Sequence, residues 1–323
     1  MPKISVIVPV YGVEQYIERC AISLFEQTLD DIEFIFVNDC TNDKSIEVLN
    51  SVLHRYPNRA PQVKIITHEN NLGQAQTRRT GIMSATGNYL IHCDSDDWVD
   101  VNLYEMMYLS AISNDSDIVV CDFHVHKENS VDLRLGTRAN DVNEFIENLL
   151  FQKDPVSLCN KLINRRLYDN SIQFPVENMG EDMAIVLQLM EYCHSISYVR
   201  NVYYHYDGMT ISITRKTTKE AALSRALQAC HNVNIAISPY LNSHNDIIQD
   251  GIIHLKFMQR RLLMPIINYR DVYKVWQRTF PEINKKVLFK MSIGINLIDR
   301  IKFFLTLVGI FPLIKEYTRK NLS

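Results

Sequence analysis

The chain has 323 residues, 46% of them hydrophobic, with 34 Lys and Arg against 37 Asp and Glu, a formal net charge of -3. This is enough apolar content for one large domain or two ordinary ones; it excludes a disordered chain, and the charge balance lacks the basic excess expected of a nucleic-acid binder. Seven scattered cysteines without CxxC spacing argue against a disulfide framework and a zinc cluster, and point to a reducing, cytoplasmic setting.

The opening "MPKISVIVPVYG" holds too short an apolar run for a secretory signal. Apolar runs rich in Val and Ile follow at 4–10, 32–37, 63–67 and 89–93. Between them, "EQYIERCAISLFEQT" sets Ile17, Cys20, Ala21, Leu24 and Phe25 on one helical face, and "DKSIEVLNSVLHRY" does the same with Ile46, Leu49, Val52 and Leu53. Helices alternating with continuously apolar strands predict right-handed βαβ units and a mainly parallel sheet covered on both faces. A fifth strand is expected at 117–123, then a polar loop or hairpin excursion through "HVHKENSVDLRLGTRAND". A second block, from about Asn143 to Thr214, holds the helical "VNEFIENLLF", the apolar "LCNKLI", the helix "EDMAIVLQLMEYC" and the strand-like "ISYVRNVYYHY". From about Thr217 the chain reads almost wholly helical. Its last forty residues carry eight basic and two acidic residues, and the run "FFLTLVGIFPLI" is shorter than the roughly 20 residues needed to cross a bilayer.

In open α/β sheets ligands bind where the chain leaves the carboxyl ends of the strands. There the first strand exits through Pro9 and Tyr11, the second reaches Asp39, the third enters "HENNLGQAQTRRTG", and the fourth runs into Asp94, Ser95, Asp96 and Asp97. Singly, such residues are ordinary helix caps. Crowded carboxylates raise one another's pKa unless a cation or a donor array neutralises them, and D-x-D at a strand end offers hard oxygen ligands for Mg²⁺ or Mn²⁺. On the motif alone, a metal site and a solvated helix cap stay equally open.

Four motifs in order, "ISVIVPVYGVEQYIERCAISLFEQT", "FVND", "NNLGQAQTRRTGIMSATGNYLIHCDSDDW" and "FPVENMGEDM", resemble the family 2 glycosyltransferases, inverting enzymes of GT-A fold that use nucleotide sugars. The resemblance covers roughly residues 3 to 214. It implies a GT-A catalytic domain over 1–214; the α-helical region over 215–323 lies beyond it and is a candidate for membrane association or oligomerisation. By the same resemblance Pro9, Tyr11 and Asp39 hold the nucleotide, with Asp39 accepting from the uracil N3, and Arg78 lies near the base or phosphates. Asp94 would contact the ribose and the metal shell, and Asp96 would ligate a divalent metal directly. Asp182 would be the general base, with Glu181 as an acceptor contact or a neighbour behind the base.

His205, in "YVRNVYYHYDGMTISIT", is a candidate third metal ligand or phosphate contact, although a lone His among aromatics is more often packed. The family pattern places a Ser or Thr just beyond it, in a loop that closes over the diphosphate. Lys161 matches a family "NKL" segment, as a substrate contact or an anchor. The chain departs from the common pattern with Asn38 for the first acid of "VDD", Gly12 in "YG" for "YN", and Thr77 and Arg79 in "TRR" for "ARN".

The implied activity is transfer of a hexosyl or N-acetylhexosaminyl group from a UDP-sugar to a hydroxyl of a glycan or lipid-linked glycan, in bacterial surface polysaccharide synthesis. A basic aliphatic tail is compatible with a peripheral site on the cytoplasmic face of the inner membrane, and equally with a solvated helical bundle. Two alternatives differ in class. A sugar nucleotidyltransferase calls for a Gly-rich loop that "PVYGVE" lacks, and an inactive scaffold subunit calls for loss of D-x-D or of the base, both of which are present.

Overall fold

The computed structural model describes residues 1–209, 218–267 and 271–314. Strands β1 (Ile4–Val10), β2 (Ile32–Asn38), β3 (Val63–Thr67) and β4 (Tyr89–His92) run parallel in the order β3-β2-β1-β4. Their crossovers carry α1 (Ile17–Phe25), α2 (Ser45–Arg55) and α3 (Gln74–Ser84). The face of α1 expected from its periodicity is the buried one, Ile17, Cys20, Ala21, Leu24 and Phe25. On α2, Leu49 and Val52 are buried, while Ile46 and Leu53 pack at the margin of the core.

Beyond β4 the sheet becomes mixed. The two-residue β5 (Trp98–Val99), which the apolar pattern does not reveal, pairs antiparallel with β9 (Ile196–Asp207). After α4 (Leu103–Ser113), β6 (Ile118–Lys127) is longer than the expected strand because it turns back as a hairpin into β7 (Ser130–Arg134). Helix α5 (Val142–Leu150) leads to β8 (Lys161–Asn164), which lies antiparallel between β4 and β6. Helix α6 (Glu181–Met190) precedes β9, which runs parallel to β6. Among the described residues the parallel arrangement thus holds for the first four strands and for the β6–β9 pair only.

The C-terminal region is helical as expected: α7 (Lys219–Ile237), α8 (Asp246–Arg261), α9 (Val272–Arg278), α10 (Asn284–Phe289) and α11 (Leu297–Leu307). One core lies under β1–β4, α1, α2 and α4. The other joins β6, α5 and α6 to α7, α8, α10 and α11, from Ile118 to Phe303. Apolar packing is therefore continuous across the boundary expected at 214/215, which itself lies outside the described residues, as does the Ser/Thr loop after Gly208 and Met209.

Two buried arginines explain part of the basic character of the C-terminal third. Arg260 stacks 3.7 Å from the Trp276 ring and donates to the Trp276 carbonyl (2.9 Å) and to Asn284 Oδ1 (2.6 Å). Arg300 donates to the carbonyls of Ile295, Val287 and Lys290. Carbonyls at helix ends lack intrahelical partners, and these guanidiniums supply the donors.

Candidate active site

The carboxyl end of β4 and the first turn of α6 converge on one buried side chain, Arg78 of α3, which is 1% exposed. Its Nη2 donates to Asp94 Oδ1 at 2.7 Å, and its Nε lies 3.3 Å from Asp182 Oδ1 and 3.6 Å from Glu181 Oε1. The D-x-D strand end and the acidic start of α6, nearly ninety residues apart in sequence, are thus clasped by one guanidinium. Arg78 is held protonated well above its ordinary range by Asp182, Asp94 and Glu181, against the burial that opposes its charge. It sits among carboxylates at the interior of the site rather than at its surface.

The backbone is shaped to make this clasp. Gly73, at φ +83°, precedes α3, and a Cβ there would lie 2.5 Å from the Asn178 side chain. Asn178 Oδ1 in turn accepts from the Ala75 amide at 3.1 Å, and Gln76 Nε2 donates to the Pro175 carbonyl at 3.0 Å. The "FPVENMGED" segment is therefore docked on the N-terminus of α3. Gly180, in the left-handed region at φ +80°, turns the chain into α6, and Asn232 of α7 donates to the carbonyls of Glu177 and Met179.

The two acids of α6 differ. Glu181 is 7% exposed, and burial first, then Asp182, pushes its carboxyl up to about 8 with Arg78 opposing. Burial also raises Asp182, but Arg78 acts next and lowers it. Asp182 Oδ2 accepts from the Leu158 amide at 3.3 Å, while Oδ1 is buried without a hydrogen-bond partner. Lys161 is fully buried and donates to the carbonyls of Pro155 and Ser157 and to Asn160 Oδ1 at 2.7–2.9 Å. It anchors the loop before β8.

The acids that follow β4, Asp94, Asp96, Asp97 and Asp100, divide into separate roles. Asp97 is 0% exposed, accepting from the Tyr204 hydroxyl at 2.5 Å and from the Asp207 amide at 2.7 Å. It ties the strand end to β9. Asp100 accepts from the Tyr203 amide at 2.8 Å and from His205 Nε2 at 2.9 Å. Asp94 gives one oxygen to Arg78. No other residue among those described donates a hydrogen bond to the Asp96 carboxylate, and burial, then Asp94, pushes it up to about 6, with Asp207 adding and Arg19 opposing. Arg19 is engaged elsewhere, donating at 2.6 Å to the Asp96 carbonyl and to the Asp207 carboxylate. An uncompensated carboxylate beside a half-compensated one is a donor set that fits a hard divalent cation.

The nucleotide candidates lie along the same edge. Pro9 is part-buried near the end of β1, and Tyr11 follows it, 48% exposed. Asp39 is 3% exposed and accepts from His68 Nδ1 and from the amides of Leu72 and Gly73, each at 2.8 Å. It holds the turn before α3 in place, a task invisible in the sequence. Of the unusual residues, Asn38 accepts from the Thr41 amide at 2.9 Å, and Arg79 points outward over Phe174.

His205 departs from the expectation. Its Nε2 is bound to Asp100 and its Nδ1 lies 3.0 Å from His126 Nε2, so the described structure groups it with His124 and His126 rather than with Asp94 and Asp96. The reason is register: His205 lies opposite Trp98 of β5 and beside His124 of β6, on the side of β9 turned away from Asp97. Sequence reasoning also missed Tyr204, Asp207 and Arg19. Nothing local marks them, because each acts through a partner more than seventy residues away.

A sheet that begins with parallel βαβ units and gathers carboxylates at the ends of its strands, with a helical C-terminal region behind it, is a GT-A fold. Residues 5–173, more than half the chain, match Glycosyl transferase family 2, and the chain belongs to that family. Over 124 residues it is 41% identical to the uncharacterized glycosyltransferase EpsJ of Bacillus subtilis, covering 38% of this chain and 35% of that one. It is 29% identical over 228 residues to the putative glycosyltransferase EpsH of the same organism, covering 68% and 64%; the chain thus spans about a third and just under two thirds of the length of these two relatives. Glycosyltransferase GlyG of Streptococcus pneumoniae is 25% identical over 302 residues, covering 90% and 95%. Among solved structures, S. aureus TarS 1–349 in complex with UDP-GlcNAc superposes with a TM-score of 0.60 at 17% identity, covering 99% and 92%. The mannosyltransferase PcManGT from Pyrobaculum calidifontis, in complex with GDP-Man and Mn²⁺, gives 0.56 at 14% identity, covering 97% and 86%. At such identities the likeness is one of fold.

Proposed function

We propose that this chain is an inverting glycosyltransferase that moves a sugar from a UDP-sugar to a hydroxyl of a glycan or lipid-linked glycan, in the synthesis of a bacterial surface polysaccharide. The observation that carries this reading is the Arg78 clasp, which brings Asp94 and Asp182 to one buried guanidinium. Support for UDP comes from TarS, whose complex holds UDP-GlcNAc; support for polysaccharide synthesis comes from 29% identity over 219 residues to a poly(ribitol-phosphate) beta-glucosyltransferase of Bacillus spizizenii.

Pro9, Tyr11 and Asp39 line the nucleotide end, where Asp39 keeps acceptor capacity on the oxygen that takes only the Gly73 amide. Asp94 and Asp96 would hold a divalent cation, Mn²⁺ or Mg²⁺, and what such an ion supplies when bound is neutralisation of the charge on a departing diphosphate. Asp182 takes the proton of the acceptor hydroxyl as that oxygen attacks the anomeric carbon from the face opposite the diphosphate, so a single displacement inverts the configuration. Its Oδ1, 3.3 Å from Arg78 Nε, accepts no hydrogen bond, and Arg78 draws the proton affinity of this carboxyl down against the burial that raises it. Glu181, protonated to about pH 8, is a poor base at neutral pH and contributes a donor behind Asp182. Arg78 acts as a positioning residue for both motifs.

The test is a pool of UDP- and GDP-sugars with Mn²⁺ and candidate glycan acceptors, read by mass spectrometry, with the anomeric configuration of the product read by NMR. A UDP-sugar consumed with inversion, lost in Asp182→Asn and in Asp96→Ala, is the expected result; no binding or turnover of any nucleotide sugar overturns the reading.

The C-terminal helices are proposed to seat the enzyme on an anionic membrane face. Among the described residues no helix is long and apolar enough to cross a membrane, but α11 exposes Leu297 (70%), Ile298 (65%), Ile301 and Phe304, and Val308 and Ile310 continue the apolar surface. Apolar insertion beside Lys and Arg is the pattern of interfacial helices. Co-sedimentation with phosphatidylglycerol vesicles but not with neutral ones is expected, and a stable dimer with no vesicle binding would reassign the face to oligomerisation.

A further inference from the structure

Three imidazoles meet on the edge of the sheet beyond the carboxylates. His124 and His126 stand two apart on β6 and so share one face of the strand. Strand β9 runs parallel beside β6 with His205 in register with His124. A ring nitrogen from each of the three lies within 4.8 Å of the others, and His126 Nε2 and His205 Nδ1 are 3.0 Å apart.

The surroundings hold the rings in place. Trp98 is stacked on His205 at 5.1 Å with 2° between planes, and lies 4.4 Å from His126. The Tyr203 ring is 4.3 Å from His124. Asp100 accepts from the Tyr203 amide through one oxygen and faces His205 Nε2 with the other. That carboxylate makes Nε2 the protonated nitrogen, so His205 Nδ1 turns a bare lone pair toward His126. Orientation of a histidine ligand by a carboxylate on its far nitrogen is the usual arrangement behind a metal-bound imidazole.

The charges facing the cluster are Asp100 and Asp207, which favour positive charge, and Arg19, which opposes it. Burial first, and then the neighbouring imidazoles, lower the proton affinity of His124 and His126. All-nitrogen donors of this kind suit Zn²⁺ and its neighbours in the first transition row, not the hard cations that Asp94 and Asp96 suit.

We propose that His124, His126 and His205 bind one Zn²⁺ ion, with Asp100 orienting His205, at a site separate from the Asp94–Asp96 carboxylates. Three protein nitrogens leave a tetrahedral zinc one position for water. The ion cross-links β6 to β9 just beyond the point where Asp97 ties β9 to the end of β4, and so braces that strand end. The seven cysteines gave no reason to expect zinc; the "HVH" spacing on β6 and its register with β9 do.

The test uses the full chain stripped of metal with chelator, titrated with Zn²⁺ against a chelating dye and with Co²⁺ as a spectroscopic reporter. One equivalent of Co²⁺ with visible tetrahedral d–d absorption, displaced by Zn²⁺, is expected. X-ray absorption of the Zn²⁺-loaded wild type should give three imidazole nitrogens at about 2.0–2.1 Å, a reading that needs no variant to fold. Asp100→Asn should weaken Zn²⁺ roughly 10- to 100-fold, His124→Gln and His126→Gln by more than that, and Asp96→Ala should leave Zn²⁺ affinity unchanged. No stoichiometric uptake, oxygen-only scattering, or a Co²⁺ signal that survives His126→Gln and disappears in Asp96→Ala overturns the proposal.

Discussion

The strand end at Asp94 and the sheet edge at His205 lie within a dozen residues of each other in pairing, yet they solve opposite electrostatic problems. Around Arg78, three carboxylates are brought so close that only a buried guanidinium makes the arrangement tolerable. At the edge, three imidazoles and a single orienting carboxylate meet with no cation needed to hold them apart. One sheet therefore presents a hard-oxygen face and a nitrogen face, separated by Asp97, whose two donors from β9 make it a structural post between them. Acidic residues adjacent in sequence are thus not equivalent in chemistry; what distinguishes Asp94, Asp96, Asp97 and Asp100 is the donor each finds.

The strongest way to break this contrast is Arg78→Met. Removing one partner of a buried charge cluster leaves the others unpaired, and a loss of about 3–5 kcal/mol in unfolding free energy is expected by denaturant titration. Zn²⁺ uptake by the fraction still folded should be untouched. Asp182→Asn sharpens the same contrast from the chemical side. Turnover should fall by about 10²- to 10⁴-fold, as for loss of a general base, while the thermal midpoint holds or rises because a buried carboxylate has been neutralised. Tyr204→Phe removes the hydroxyl that accepts from the Asp94 amide and donates to Asp97; since hydrogen bonds to charged groups are worth about 1.5–3 kcal/mol, a stability loss of that size should appear by calorimetry.

The smallest effect is a pH slope. Folded Glu181 keeps its proton up to about 8, against an ordinary 4.5 for the carboxyl. Between those values the folded state binds a proton that the unfolded chain has released, so stability falls as pH rises through the window and levels off above it. The melting temperature of the metal-free protein should therefore decline from pH 5 to pH 8, and Glu181→Gln should flatten that decline; an unchanged slope in the variant would reject the assignment. Asp96 adds a second pH signature. Because its carboxyl is pushed up to about 6, protons compete with Mn²⁺ there, and Mn²⁺ affinity should weaken as pH falls below that value.

The placement of several candidate site residues was readable in the chain because the strand ends are local events. Asp39, Asp94 and Asp96 follow apolar runs directly, and a parallel sheet brings successive carboxyl ends to one side whatever the details of packing. The same holds for the buried face of α1. What could not be read is every role that depends on a partner from a distant element. Asp39 proves to hold the turn before α3, Lys161 spends its ammonium on three oxygens of its own loop, and His205 turns toward β6. The mixed half of the sheet was equally hidden. Two-residue β5 has no periodicity to display, and β6 continues past its apolar stretch only because β7 pairs with it.

The sequence by itself determined the order of βαβ units, the helical C-terminal third and the identity of the acids at the strand ends, since periodicities of 2 and 3.6 and the polarity of strand exits are properties of the chain alone. Only the tertiary structure decided which acid is compensated and which is bare, because that depends on where Arg78, Tyr204 and Arg19 arrive from. It also decided that three histidines, two on one strand and one nearly eighty residues later, share a face, because strand register is set by the packing of the whole sheet and not by either strand.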